Sequence, residues 1–306
     1  MSKKIVFMGT PMFSVQTLEV LVKSNFEISC VYTQPPKKSK RGQKINLSPI
    51  NLAAEKLNLK IRTPNSLETE EEYNYFKSIK PYIVIVVAYG KIIPEKYLSL
   101  SEKGFLNIHA SLLPKWRGAA PIQRSIMNRD KETGVSFMMI EKGLDVGPYA
   151  NQIKVKIESQ TTAGSLTDEL SKVGADNILK TIDLIENNKI NFTTQDNSQA
   201  SYAKKISKTE SKIVWKDKAV NIIAKINSLN PYPGAWFEFN GSRYKIWKAL
   251  ISEMKGVPGD ILDEKLTIAC EDRSIEVVKI QKEGKEKIEI TEFIKGNKIS
   301  KGQNIS

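Results

Sequence analysis

The chain has 306 residues, of which 40% are hydrophobic, and its 47 basic and 34 acidic side chains give a net charge of +13. This length suits two domains with packed cores. No apolar run approaches a membrane span and the N-terminus does not resemble a signal peptide, so we expect a cytoplasmic protein without a membrane partner. The positive charge favours a polyanionic partner such as a nucleic acid.

The few cysteine and histidine residues disfavour a metal site. One histidine and two distant cysteines offer none of the usual zinc spacings. Cys30 and Cys270 both lie in apolar stretches, which predicts buried thiols in a reducing compartment. The glycine motifs of dinucleotide-binding and P-loop proteins are also missing, so those functions lack support.

Strands and helices alternate up to about residue 188, which predicts an α/β fold with an open, mostly parallel sheet and helices on both faces. The strand at 82–88 is continuously apolar, as is typical of a parallel strand buried on both sides. Further strands are predicted at 3–8, 27–33, 105–109, 134–140 and 149–157, of which the one at 105–109 is short. One helix is predicted to begin near residue 15, and the other main helices are predicted at 48–57, 69–78 and 161–187.

Residues 34–47 form a basic segment between the second strand and the helix at 48–57. Two prolines and a glycine predict a loop. Clustered cations on a loop are typical of a phosphate-contacting arm and equally of a solvated surface, and both interpretations stay open. The cations are Lys37, Lys38, Lys40, Arg41 and Lys44.

The polar composition after residue 189 predicts a linker. We expect a catalytic domain at 1–189, a linker at 190–207 and a second domain at 208–306. One helix at 218–229 and short strands separated by turn residues predict a small β-barrel. Tyr244, Trp247 and Lys248 suit either a nucleic-acid face or the core and rim of this barrel.

The strongest functional candidate is GFLNIHASLLPKWRGAAPIQ at 104–123. Asn107 and His109 are two apart on a predicted strand, so they share one face. An imidazole can shuttle a proton and a carboxamide can donate to a developing oxyanion. Asp145, in a glycine-flanked loop after a strand, is the acid expected to join His109 at one sheet edge. A structural histidine and a turn-shaping aspartate remain alternatives.

Several ordered motifs resemble those of the 10-formyltetrahydrofolate-dependent formyltransferases: Asn107, His109, Asp145, SLLP at 111–114, RG at 117–118, GLDVG at 143–147, FMGTP at 7–11 and AYG at 88–90. Three further motifs resemble the branch that acts on methionyl-tRNA: SYAKKI at 201–206, Trp215 and NPYPGA at 230–235. The resemblance covers nearly the full length. Val146, Val214 and Tyr232 depart from this pattern, but none removes a catalytic group.

The resemblance implies transfer of a formyl group from 10-formyltetrahydrofolate to the α-amino group of methionyl initiator tRNA, by a monomer without a metal. Asn107, His109 and Asp145 would be catalytic. We expect the first two to hydrogen-bond the formyl oxygen, while Asp145 orients His109 and helps to relay the amine proton.

The resemblance also assigns the binding sites. It implies that the basic loop enters the tRNA acceptor stem and that the second domain is an OB-like barrel that binds tRNA. The implied folate site is Ser111, Leu112, Leu113 and Pro114, with Ala88, Tyr89 and Gly90 beside the pterin.

Two kinds of alternative remain. The nearer one keeps the chemistry and changes the acceptor: a sugar-nucleotide or glycinamide ribonucleotide formyltransferase, or a formyltetrahydrofolate hydrolase. The basic loop and the positive second domain disfavour it. The other is a non-catalytic RNA-binding relative, which the intact trio of Asn107, His109 and Asp145 disfavours.

Overall fold

The structure is a computed structural model that describes residues 2–38, 45–296 and 299–305, with Lys37, Lys38 and Ile45 described by their backbone only. Contacts divide the chain into two compact units. The first consists of 1–121, 133–155 and 167–203, and the second of 122–132, 156–166 and 204–306. The domain boundaries expected from the sequence stay predictions.

The chain up to residue 203 contains eleven strands and six helices within the described residues. The strands are β1 (Lys4–Gly9), β2 (Glu27–Tyr32), β3 (Lys37–Lys38), β4 (Ile45–Asn46), β5 (Ile61–Arg62), β6 (Ile83–Val87), β7 (Phe105–His109), β8 (Arg117–Gly118), β9 (Glu132–Met139), β10 (Tyr149–Lys156) and β11 (Tyr202–Ala203). The helices are α1 (Val15–Val22), α2 (Pro49–Lys56), α3 (Glu70–Ile79), α4 (Glu95–Leu98), α5 (Pro121–Met127) and α6 (Ala163–Glu186).

Seven of these strands form the main sheet, in the order β10-β9-β7-β6-β1-β2-β5. The pairs β1–β2, β1–β6, β2–β5 and β6–β7 are parallel, whereas β7–β9 is antiparallel. All five residues of β6 are buried, as expected for an apolar strand covered on both faces. The predicted α/β fold with a mostly parallel sheet is confirmed.

Two small strand pairs were missed. β3 and β4 pair antiparallel within the segment predicted as a loop. β8 pairs parallel with β11, although Pro114 and Gly118 predict irregular structure there. The Arg117 amide donates to the Ser201 carbonyl at 2.9 Å, a contact between residues 84 positions apart in the chain. Such pairings depend on long-range contacts, which local propensity does not encode.

The second unit contains an antiparallel sheet with strand order β12-β13-β15-β14, and β16 pairs with β15. The predicted small β domain is therefore confirmed. Its elements are α7 (Ala219–Ser228), β12 (Ala235–Phe239), β13 (Ser242–Ser252), β14 (Thr267–Ala269), β15 (Ser274–Lys282), β16 (Ile288–Glu289) and α8 (Ile290–Gly296).

Aromatic side chains fill the core of this unit. Tyr244 stacks on Phe237 at 5.5 Å and meets Phe293 edge-on at 5.8 Å. Phe293 belongs to α8, which the sequence interpretation missed because the helix follows β16 without a turn signal. No helix in the described part of the chain has the length and hydropathy needed to cross a bilayer.

A buried ion pair in the first unit supports a stability prediction. Arg62 donates to both carboxylate oxygens of Glu72 at 2.8 and 2.7 Å, and the Tyr32 hydroxyl donates to Glu72 at 2.7 Å. Burial, then the bond to Glu72, raises the pKa of Tyr32, so the phenol remains a donor. We expect Glu72→Gln to lower the free energy of unfolding by about 2 kcal/mol, because it weakens the charge-assisted hydrogen bonds of a nearly buried carboxylate to a guanidinium that is 26% exposed.

Urea denaturation measures this loss, and Glu71→Gln is the matched control. The Glu71 side chain is 90% exposed and its carboxylate lies 3.8 Å from Arg62, so its loss should cost less than about 1 kcal/mol. Equal losses for the two variants would show that burial of the pair does not matter.

Candidate active site

The carboxyl end of β7 carries two polar side chains on one face. Asn107 and His109 alternate along the strand and are only 9% and 6% exposed. The Asn107 carboxamide has no hydrogen-bond partner in the part of the chain that the structure describes. Its polar atoms are not among the fully buried atoms that lack a partner, so the carboxamide keeps access to solvent and is open to a ligand.

Asp145 reaches His109 from the loop between β9 and β10. Its Oδ2 lies 3.7 Å from the His109 Nδ1 and accepts a hydrogen bond from the Gly118 amide at 2.8 Å. The structure therefore brings together the imidazole and the carboxylate that the sequence interpretation paired.

The chain path that brings Asp145 to His109 differs from the expected one, in which a strand ends beside His109 and Asp145 directly follows it. β9 runs antiparallel to β7, with Met139 opposite Leu106. The chain thus leaves β9 beside the start of β7, and the loop from residue 140 to 148 must return along β7 to reach His109. Asp145 has a left-handed backbone with φ of 53°, a conformation that aspartate and asparagine adopt more readily than most residues with a side chain.

The hydrogen bonds of His109 define its tautomer. Nε2 lies 3.0 Å from the carbonyl oxygen of Trp116. A carbonyl only accepts, so Nε2 carries the hydrogen and the neutral ring has its lone pair on Nδ1. Nδ1 faces Asp145, which would stabilise a proton placed there. The carboxamide of Asn107 is then the donor left for a substrate oxygen.

The segment assigned to the folate site is a rigid turn. The Ser111 hydroxyl donates to the Lys115 carbonyl at 2.6 Å, and Ser136 donates to the Ser111 carbonyl at 2.6 Å. Ser111 and Leu113 are buried, whereas Leu112 and Pro114 are partly exposed. Within this turn, the side chains of Leu112 and Pro114 and the backbone are the groups that can contact a substrate.

The turn after β6 presents mainly its backbone. Ala88 and Gly90 are exposed, but the Tyr89 ring is 1% exposed and belongs to the core. Thr10 donates to the Tyr89 carbonyl at 2.8 Å and Gln34 donates to the Gly90 carbonyl at 3.0 Å. The predicted pterin contacts of this turn therefore reduce to the Ala88 methyl group and main-chain atoms.

A buried network beside Asp145 contains a residue that the sequence interpretation missed. Arg117 is 2% exposed and donates to Gln195 at 2.9 Å and to Asn197 at 3.0 Å. The Gln195 amide donates in turn to the carbonyls of Asp145 and Gly147 at 2.9 and 2.7 Å. Gln195 lies in a polar stretch read as linker, and no local pattern marks it.

The structure does not describe the side chains of the predicted RNA-contacting cations. Lys40, Arg41 and Lys44 lie outside the described residues, and Lys37 and Lys38 are seen only as backbone in β3. Their proposed contact with RNA stays a prediction.

The second unit has a lysine-rich cleft of about 380 Å³, lined by Gln160, Thr162, Asn227, Asn230, Trp247, Lys248, Lys279 and Lys287. Trp247 is 5% exposed, and the Lys287 ammonium lies 3.5 Å from its ring centroid. Burial, and then the charges of Lys287 and Arg243, lower the pKa of neighbouring Lys245. The sequence left open whether Tyr244, Trp247 and Lys248 form a nucleic-acid face or the core and rim of the barrel. Tyr244 belongs to the core, whereas Trp247 and Lys248 line this cationic cleft.

Family models of known proteins match most of the first unit and most of the second unit. The formyl transferase family model matches residues 3–182, and the model for the formyl transferase C-terminal domain matches residues 205–298. A tetrahydrofolic acid complex of HypX from Aquifex aeolicus has the same fold, with a TM-score of 0.66 and 16% identity over 95% of this chain and 46% of that one. The chain belongs to the formyl transferase family, as the sequence motifs predicted.

Two curated relatives indicate which kind of formyl transferase this chain resembles. The methionyl-tRNA formyltransferase of Pelagibacter ubique (strain HTCC1062) is 51% identical over 100% of this chain and 99% of its own length. That of Chelativorans sp. (strain BNC1) is 40% identical over 100% of both chains. The predicted resemblance to the branch that acts on methionyl-tRNA is thereby confirmed.

The described residues fit a folate formyl donor. The unpartnered Asn107 carboxamide is suited to a carbonyl oxygen, and the exposed Ala88–Gly90 turn leaves main-chain groups for a polar ring. No group of three or more His, Cys, Asp or Glu side chains within the described residues is arranged to hold a metal ion.

Proposed function

We propose that this chain transfers the formyl group of 10-formyltetrahydrofolate to the α-amino group of methionyl initiator tRNA, giving N-formylmethionyl-tRNA for translation initiation. The observation that carries the proposal is the unpartnered Asn107 carboxamide on the face of β7 that also bears His109, with Asp145 3.7 Å from that imidazole. The full-length relatives named methionyl-tRNA formyltransferase support the choice of acceptor.

The setting of this activity is also proposed. Cys30 and Cys270 are buried free thiols, which supports a reducing cytoplasm. We also propose that the chain acts as a monomer.

The chain's own groups account for the chemistry. The folate substrate supplies the formyl carbon, and the attacking amine, with a pKa near 8, is partly neutral at pH 7. The Asn107 carboxamide donates to the formyl oxygen as that oxygen gains negative charge. The His109 Nδ1 accepts the proton that the amine nitrogen loses as its bond to the formyl carbon forms, and the Asp145 carboxylate stabilises the resulting imidazolium. The same proton passes to N10 of the folate as the carbon–N10 bond breaks, so that tetrahydrofolate leaves as a neutral amine.

The orientation of His109 follows from its second nitrogen. The bond from Nε2 to the Trp116 carbonyl keeps the hydrogen on that side of the ring. The resemblance implied that both Asn107 and His109 hydrogen-bond the formyl oxygen, and that role stays a prediction. The bond to Trp116 supports a proposal in which Asn107 binds the formyl oxygen and His109 accepts the proton.

Transfer of labelled formyl from 10-formyltetrahydrofolate tests the proposal. We expect label on methionyl initiator tRNA, and much less on methionyl elongator tRNA or on an amino-sugar nucleotide. Preferential labelling of the sugar nucleotide, or release of free formate, would favour one of the small-acceptor alternatives. No folate turnover with tRNA binding retained would favour a non-catalytic RNA-binding relative.

Affinity for tRNA is assigned to the basic loop and to the cleft of the second unit. We expect Lys248→Gln and Lys287→Gln each to weaken tRNA binding and to lower the slope of log Kd against log salt by about 1. Neutralising Lys37, Lys38, Lys40, Arg41 and Lys44 together should raise KM for tRNA and reduce the slope further.

Binding titrations at several salt concentrations measure both effects. Lys77→Gln removes one exposed charge from α3 of the first unit and serves as the control. Slopes that are unchanged in the cleft and loop variants, or reduced equally by Lys77→Gln, would contradict a localised RNA surface.

A further inference from the structure

We infer that Gln195 is a positioning residue that holds the Asp145 loop in place, an inference that rests on the proposed function. Its carboxamide joins the loop to the buried guanidinium of Arg117. The side-chain oxygen accepts from the Arg117 Nε at 2.9 Å, and the amide nitrogen donates to two loop carbonyls, those of Asp145 and Gly147, at 2.9 and 2.7 Å.

The sheet alone does not place Asp145 beside His109. β9 ends opposite Leu106, and His109 lies three residues further along β7, which is about 10 Å of extended chain. The returning loop also holds Asp145 at φ of 53°. Aspartate adopts this conformation more readily than most residues, so the φ angle alone does not fix the path of the loop.

The hydrogen bonds of Gln195 hold the loop that carries Asp145 on this path. Its two donor contacts fix the carbonyls on either side of Val146, while the Gly118 amide fixes the carboxylate at 2.8 Å. Gln195 is 5% exposed, whereas every other residue from 191 to 199 is exposed. A single buried carboxamide whose two donor contacts both lie on the Asp145 loop indicates that this segment is anchored through it.

The amide nitrogen is the atom that matters. In Gln195→Met the side chain keeps a similar length but loses the donor and the acceptor. In Gln195→Glu the oxygen that meets Arg117 is kept, but the second oxygen cannot donate to the two carbonyls. Both variants should release the loop, and the second keeps a partner for the buried guanidinium.

Steady-state kinetics with full-length protein, 10-formyltetrahydrofolate and methionyl-tRNA test the inference. Misplacing a reacting group by about 1 Å costs roughly 10²-fold, so we expect kcat to fall about 10²-fold in both variants. The inference gives Gln195 no direct contact with substrate, so KM for each substrate should change less than about threefold. Gln199→Met is the matched control, because Gln199 is exposed and its amide donates only to Asp196.

Amide hydrogen exchange of Gly118, followed by NMR, adds a direct readout. Release of Asp145 should speed this exchange at least about tenfold in Gln195→Met and Gln195→Glu and leave it unchanged in Gln199→Met. The inference is overturned if both variants, or Gln195→Glu alone where Gln195→Met does not fold, keep kcat within about twofold and retain Gly118 protection. Inactivity of the wild-type chain would instead refute the proposed function, and the exchange result would still decide whether Gln195 holds the loop.

Discussion

Asn107→Ala is expected to lower kcat about 10²- to 10³-fold, the usual cost of losing one donor to a developing oxyanion. KM for methionyl-tRNA should change little, because the bond strengthens mainly as charge builds on the formyl oxygen. The carboxamide makes no hydrogen bond to any described residue. The substitution should therefore leave the free energy of unfolding within about 1 kcal/mol of wild type.

Rate and stability together distinguish this role from a structural one. Steady-state kinetics gives kcat, and urea denaturation gives the free energy of unfolding. Asn187→Ala, which removes an exposed amide at the end of α6, is the control for both. Normal kcat in Asn107→Ala would contradict the assignment of this residue, as would a rate loss that accompanies gross destabilisation.

Asp145→Asn should lower kcat about 10³-fold, within the range for general acid–base groups. The asparagine oxygen can still accept from the Gly118 amide, which Asp145 does at 2.8 Å. The loop therefore keeps this anchor, and the change isolates the negative charge that stabilises a proton on the His109 Nδ1. Without that charge the proton acceptor is weaker, while substrate binding is retained.

Kinetics with both substrates saturating checks this expectation. Asp183→Asn removes an exposed carboxylate on α6 and should leave kcat unchanged. A large rise in KM with normal kcat in Asp145→Asn would indicate that Asp145 binds substrate and does not assist proton transfer.

The sequence was sufficient for the features that local pattern controls. The continuous apolar run of β6 and the alternation of strands with helices predict the parallel sheet. The spacing of Asn107 and His109 predicts their shared face, since alternate strand residues point the same way. Lys248, for which the sequence left open a nucleic-acid face or a barrel rim, lines one cleft with Lys287.

Features that depend on distant contacts could not be predicted in this way. The antiparallel pairing of β9 with β7 reverses the expected route of Asp145, although the residue still reaches His109. Gln195 acquires its role only when a polar segment packs against Arg117, which is 78 residues away in the chain. The inward direction of the Tyr89 ring is likewise decided by core packing and not by its glycine neighbour.

The most direct test of the account is a double-mutant cycle on the single-turnover rate of formyl transfer to methionyl initiator tRNA. The proteins are wild type, Asn107→Ala, Asp145→Asn and the double variant. Groups that act as one unit are strongly non-additive, so the account predicts a double variant about as slow as the slower single variant. Losses that multiply would contradict it, because Asn107 and Asp145 would then contribute independently.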